Sequence, residues 1–279
     1  MLVLVVLASA LLHAGWNALL RRHPVKDAAG VAVVAIAAAV AMGVAAIEAV
    51  VRARAPFAGG AAVAWTVAAG LCEAGYFAAL VRALAAGPLG SVYTISRGGA
   101  VVLVWPLSVA LLGEPVHALG VAGSAVLLVG LASSGMARAV PRAAITWAIV
   151  TAGFIAGYHL AYKAALAAGA APAAVFAVAL AVALPIFAGA SRVGPRRAMV
   201  AVRAAPRSTV LAGVVCATSF LVFLVALRAG GAAMVLTLRN TSVVFALGFG
   251  AMLGEAPGRR QIAGAVLVAI GAALMGLGG

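Results

Sequence analysis

The sequence predicts an all-α integral membrane protein with ten transmembrane helices in two inverted five-helix repeats. Three observations lead there. With 66% apolar residues, 9% charged residues and a mean hydropathy of +1.22, the chain is incompatible with a water-solvated surface. Apolar runs of about 20 residues, the length that crosses a hydrocarbon core, follow one another with only short polar breaks. Finally, the sequence is duplicated. A shift of 141 positions lays Leu112-Gly113-Glu114 on Leu253-Gly254-Glu255, Gly123 on Gly264, Gly130 on Gly271 and Gly135 on Gly276. Glycine is frequent, but the chain has only five acidic residues, and two occupy the same place in one repeated triplet.

In chain order the expected spans are 1–20, 28–51, 60–81, 89–111, 117–137, 143–166, 171–190, 208–227, 230–252 and 261–279. The first resembles a secretory leader, with Ala8-Ser9-Ala10 placed like a cleavage site, but no basic residues precede its apolar run. It also has a later partner, since Gly15-Trp16-Asn17 and Arg21 align, shifted by 142, with Gly157-Tyr158-His159 and Lys163. It is therefore read as a helix of the first repeat. The breaks carry Arg21-Arg22-His23-Pro24, Arg52-Ala53-Arg54, Gly87-Pro88, Arg138 to Arg142, and the stretch from Arg192 to Arg207, all read as turns or loops. Residues 1–140 form one repeat and 141–279 the other. Five helices is an odd number, so the second copy enters the membrane from the opposite side, a geometry suited to alternating access around a midplane cavity.

The net charge of +14 is topological and gives no support to a nucleic-acid partner, because most of its residues lie in loops beside apolar helices. The breaks after odd-numbered helices hold thirteen Arg and Lys residues and the other breaks three, which places both termini outside the cell.

Ionisable residues inside the spans are the best functional candidates, each costing about 2.5–3.5 kcal/mol at a helix centre unless it meets water or a partner. Glu73 lies mid-helix in the third span, Arg97 a third of the way along the fourth, and Arg239 at a matching depth in the ninth, aligned with Arg97 across a one-residue gap. Glu73 reads either as a proton- or cation-carrying carboxylate or as half of a packing ion pair with Arg97 or Arg239; Tyr76 shares its face. Arg97 and Arg239 have the fork geometry to clamp a carboxylate or phosphate, with Tyr93 one turn before the first and Asn240 beside the second. Their other reading is snorkelling or carbonyl capping. His13 with Asn17, and His159 with Lys163, make polar stripes on the first helix of each repeat, walled by Trp16 and Tyr158. The plainer reading makes the two aromatic residues interfacial and has Lys163 and Arg21 snorkel to headgroups.

Glu114 and Glu255 read as structural, each at a tight corner where a carboxylate favours the positive end of the next helix. The Gly123, Gly130, Gly135 series reads as a close-packing face for a neighbouring helix or for the second subunit of a homodimer. Cys72 and Cys216 read as small apolar fillers. No metal-ligand pair and no phosphate-binding glycine loop occurs, so neither cofactor nor enzyme chemistry is expected.

Taken together, the ten helices in two repeats, the Leu-Gly-Glu ends of helices 4 and 9 with their glycine-spaced successors, and the Trp16-Asn17 and Arg21 of helix 1 make the chain resemble, over its whole length, the EamA-type transporters of the drug/metabolite transporter superfamily. The resemblance implies a secondary transporter that exports amino acids, other metabolites or toxic compounds; joined to the polar residues above, the expectation is an exporter of a small polar or amino-acid-like metabolite in a bacterial inner membrane, with the buried Glu73 as the candidate site for protons as coupling ion. It also implies cytoplasmic termini, against the charge count. An intramembrane lipid-modifying enzyme or a non-transporting assembly subunit are the other readings.

Overall fold

The computed structural model describes residues 1–135, 139–252, 254 and 257–277, apart from the side chains of Asp27 and Leu89. Every regular element described is a helix. Twelve occur in chain order: α1 (Leu2–Arg21), α2 (Lys26–Arg52), α3 (Gly60–Ala86), α4 (Leu89–Leu112), α5 (Ala118–Gly135), α6 (Arg142–Ala167), α7 (Pro172–Ala190), α8 (Pro195–Ala204), α9 (Pro206–Ala229), α10 (Ala232–Arg239), α11 (Ser242–Met252) and α12 (Arg259–Leu277). Among the described residues, ten spans are long and apolar enough to cross a membrane, with α10 and α11 together making the ninth.

Two features depart from the sequence expectation. The stretch between the seventh and eighth spans contains a helix, α8, whose Ala201 is buried against α2 residues Ala28, Ala29 and Val31 while Arg196, Arg197 and Arg203 are exposed. Its three arginines and ten-residue length hid it from a search for long apolar runs. The ninth span is not continuous either. At Asn240 and Thr241 the bonding tightens, with Asn240 N–H donating to Thr237 O and Thr241 N–H to Leu238 O, both at 3.0 Å. Such i to i+3 turns rise about 2.0 Å per residue against 1.5 Å in an α-helix, which recovers the length of the residue missing in the Arg97–Arg239 alignment.

The packing has a pattern. α3 lies on α6 as α1 lies on α9, α4 on α6 as α10 and α11 on α1, and α3 on α7 as α2 on α9, while α2 meets α7 and α5 meets α12. Exchanging the first five spans for the last five converts each contact into another of the set. The glycine series meets a neighbouring helix within the chain. Gly123 faces Gly271 and Gly130 faces Gly264, so close that a Cβ built on any of the four lies 2.5–2.6 Å from the opposing glycine's carbonyl oxygen. Only glycine permits this approach of α5 and α12. The repeated Leu-Gly-Glu triplet also has a backbone cause, because Gly113 (φ 66°) and Gly254 (φ 86°) both adopt the left-handed conformation that ends a helix.

Leu2, Val3, Glu114, Lys163, Gly230 and Gly276 gather at one end of the bundle, here called the terminal face, through contacts of Leu2 with Gly230 and Val3 with Gly276. Gly90 and Gly135 meet at the opposite end.

Candidate functional site

Between the halves lies a partly enclosed cavity. Of the residues singled out in the sequence, His13, Trp16, Glu73, Tyr76, Arg97, Tyr158, His159, Arg239 and Asn240 line it. Asn17 does not; its side-chain amide turns back to donate to His13 O at 2.7 Å. Tyr93 lines an adjoining recess toward the opposite face, together with Gly90, Gly135 and Gln261, and Arg97 borders both spaces.

Each polar side chain is placed by its helix. α1 presents His13, whose Nδ1 lies 3.3 Å from the Trp16 Nε1–H, one turn along the same helix. The Arg97 Nη2 from α4 approaches His13 Nε2 at 2.9 Å, and the Arg239 Nη2 from the end of α10 approaches Nδ1 at 3.5 Å. The two arginines of the two repeats thus converge on one imidazole. The guanidinium carbon of Arg239 sits 4.2 Å from the ring centre of Phe220 and 4.3 Å from that of Phe223, so cation–π contact stabilises a charge that is only 3% exposed. Arg97 lies 5.7 Å from the ring of Tyr93.

Glu73 is 2% exposed on α3, and it forms no ion pair with Arg97, Arg239 or any other described residue. This corrects the packing ion-pair reading, and the cause is geometric: both guanidinium groups are drawn to His13 and to aromatic faces. The Tyr162 hydroxyl is beside the Glu73 carboxyl and is its nearest polar neighbour, but the distance and angles at Tyr162 Oη and Glu73 Oε2 fall short of a well-formed hydrogen bond. His159 donates from Nδ1 to Ile155 O at 2.8 Å, which leaves Nε2 as a buried acceptor without a partner. Arg239 Nε and both amide atoms of Asn240 are likewise buried and unpartnered. Orphaned buried polar atoms cost about 1–3 kcal/mol each, and those described here cluster on one cavity.

The sequence reading missed Phe220, Cys216, Phe77 and Phe176 as lining residues, which share the wall with aliphatic side chains such as Val34 and Leu180, and Tyr162 beside Glu73. Helical spacing was the available signal. Cys216 and Phe220 are four apart on one face of α9, as Tyr158 and Tyr162 are on α6. Cys216 thus borders the cavity in addition to filling space.

The terminal face is tied by charge. Both Glu114 carboxylate oxygens accept from the Ala232 N–H, at 2.7 and 2.8 Å, so the residue caps α10 across the bundle and not the adjacent α5. Lys163 does not snorkel; its Nζ donates to Leu227 O at 2.9 Å and to Gly230 O at 2.7 Å, closing the end of α9. Glu255, the repeat mate of Glu114, falls outside the described residues. Glu114→Ala is expected to lower stability by about 1–2 kcal/mol, read as a fall in melting temperature of the detergent-solubilised protein. An unchanged melting temperature would show that water caps α10 equally well.

Comparison with known proteins adds the family. No curated protein matches the chain. A solved crystal structure, 17% identical in sequence, superimposes with a TM-score of 0.73 over 99% of this chain and 96% of its own, which establishes a shared fold. Residues 142–277 match the EamA-like transporter family. The second half of the chain is thus similar to the EamA-like transporter family, part of the drug/metabolite transporter superfamily, and the ten apolar spans make the chain a multi-pass integral membrane protein.

Proposed function

We propose that the protein is a secondary transporter that carries a small polar or amino-acid-like metabolite out through the central cavity. The observation that carries this reading is the clustering of unpartnered polar atoms from Glu73, His159, Arg239 and Asn240 on a cavity between the two halves. A packing subunit without a pathway would satisfy these atoms internally. The scattered placement of the polar residues along helix interiors also disfavours a lipid-modifying enzyme, whose reactive groups belong at a membrane surface.

The two repeats, 1–140 and 141–279, act as opposed halves of inverted topology, and the reciprocal helix pairing supports this arrangement. In the present conformation Glu114 and Lys163 tie the terminal face, and Arg97 joins the cavity to the recess on the other side. Alternating access is an exchange of these roles between the halves. Protons are the coupling ion, exchanged at Glu73, and the bacterial inner membrane is the site of action.

The test is flux. Purified protein in lipid vesicles, given outward gradients of an amino-acid and metabolite panel, is expected to move at least one compound faster than protein-free vesicles do. No flux of any compound in either direction would overturn the transporter reading.

A further inference from the structure

The chemistry of the cavity is unbalanced, and the imbalance has a sign. Arg97 and Arg239 bring two permanent positive charges to its wall, and among the described residues Glu73 is the one carboxylate that lines it. Neither arginine forms an ion pair with a carboxylate among the described residues. A buried guanidinium without a counter-charge is costly, and in a membrane interior no bulk water is at hand to offset that cost.

The hydrogen bonds around His13 show the same deficit. A neutral imidazole has one donor N–H and one acceptor nitrogen, whereas arginine and the indole N–H only donate. Yet His13 Nε2 faces Arg97 Nη2 at 2.9 Å, and Nδ1 faces both Trp16 Nε1 at 3.3 Å and Arg239 Nη2 at 3.5 Å. Whichever tautomer forms, one ring nitrogen opposes a donor to a donor. The cluster is short of an acceptor. Arg239 Nε has no partner, nor has the Asn240 amide one residue on, although these side chains are only 3% and 1% exposed. Phe220 and Phe223 press against the Arg239 guanidinium without accepting a hydrogen bond in its plane, and the Nε of its N–H edge stays unpartnered. That edge is the part of arginine that holds two oxygens at once.

We infer that the substrate of this cavity carries an oxyanion, a carboxylate or a phosphate, seated among Arg97, Arg239, His13 and Asn240. This rests on the transporter reading and names the chemical class of its substrate. The oxyanion accepts from both guanidinium groups and from the Asn240 amide, and it lets His13 turn its N–H toward an acceptor. The remainder of the substrate lies against Trp16, Tyr76, Phe77, Phe176 and Phe220, an aromatic wall that fits a flat or apolar body. Because Arg97 and Arg239 come one from each half, the anion bridges the halves as it binds.

Four probes with a common phenyl body separate charge from shape: phenylpropanoate, phenylpropanol, phenylpropylamine and phenyl phosphate. Binding to the detergent-solubilised protein is followed by tryptophan fluorescence, since Trp16 borders the cavity, and by thermal shift. At least one oxyanion is expected to bind about tenfold or more tightly than the alcohol, a factor worth 1.4 kcal/mol, with the amine weakest. The order of the two anions tells which oxyanion the site takes. Arg97→Gln and Arg239→Gln are each expected to remove the preference for the anion; Arg97 is only partly buried, so its variant serves should the second fail to fold. Equal or tighter binding of the alcohol or the amine, binding of neither anion, or a preference that survives both substitutions overturns the inference. The parent reading fails separately: an anion that binds in this order but is not moved across vesicles removes the transporter and leaves the anion site.

Discussion

Substrate-driven proton movement into vesicles is expected to fall to the level of protein-free vesicles in Glu73→Gln, while exchange of substrate for substrate persists. The carboxylate is almost wholly buried, lines the cavity, and has neither a guanidinium partner nor a completed hydrogen bond at Oε2. Glutamine keeps the shape of the side chain and removes the exchangeable proton, so only steps that need the proton are lost. An internal pH dye reports the first quantity and labelled substrate the second. The stability of the variant supplies an independent check. A buried carboxylate without a counter-charge is a cost to the fold, so Glu73→Gln is expected to melt at or above the wild-type temperature; a substantial fall would return Glu73 to a packing role. Proton movement equal in both proteins would assign coupling elsewhere or leave the protein an exchanger.

The largest effect on stability is expected at the crossing of α5 and α12. Gly271→Leu places four carbon atoms where even the first lies 2.5 Å from Gly123 O and 2.7 Å from Leu127 N. These are backbone atoms of a neighbouring helix, which no rotamer change relieves. The helices must part, and the cost is about 3 kcal/mol or more. In detergent the variant should show a strongly lowered melting temperature or no folded yield. Gly153→Ala is the control of opposite sign, because a Cβ there meets nothing within 4 Å; it should gain about 0.5–1 kcal/mol through helix propensity. A Gly271→Leu protein as stable as wild type would mean that the two helices are not in contact in the membrane.

Hydrophobic runs and the shifted Leu-Gly-Glu triplet were enough to find ten spans and their repeat, because both are properties of the chain alone: span length is set by lipid thickness, and duplication is written in residue order. The same holds for Glu73, Arg97 and Arg239, since a charge inside an apolar run is visible without knowing its neighbours. α8 escaped because a short amphipathic helix carries no long apolar signal, and the break at Asn240 escaped because nothing local announces it. Partners were the other gap. Helical periodicity said which residues share a face, and the fold decided what that face meets: Gly123 meets Gly271 within the same chain, Lys163 caps α9, Glu114 caps α10 from 118 residues away, and both arginines reach His13 instead of Glu73. The sequence by itself determined the membrane class, the duplicated Leu-Gly-Glu register and the ionisable residues that must avoid lipid. Only the tertiary structure decided which of those residues meet, because contacts between helices depend on crossing angles and close approach between segments far apart in the chain.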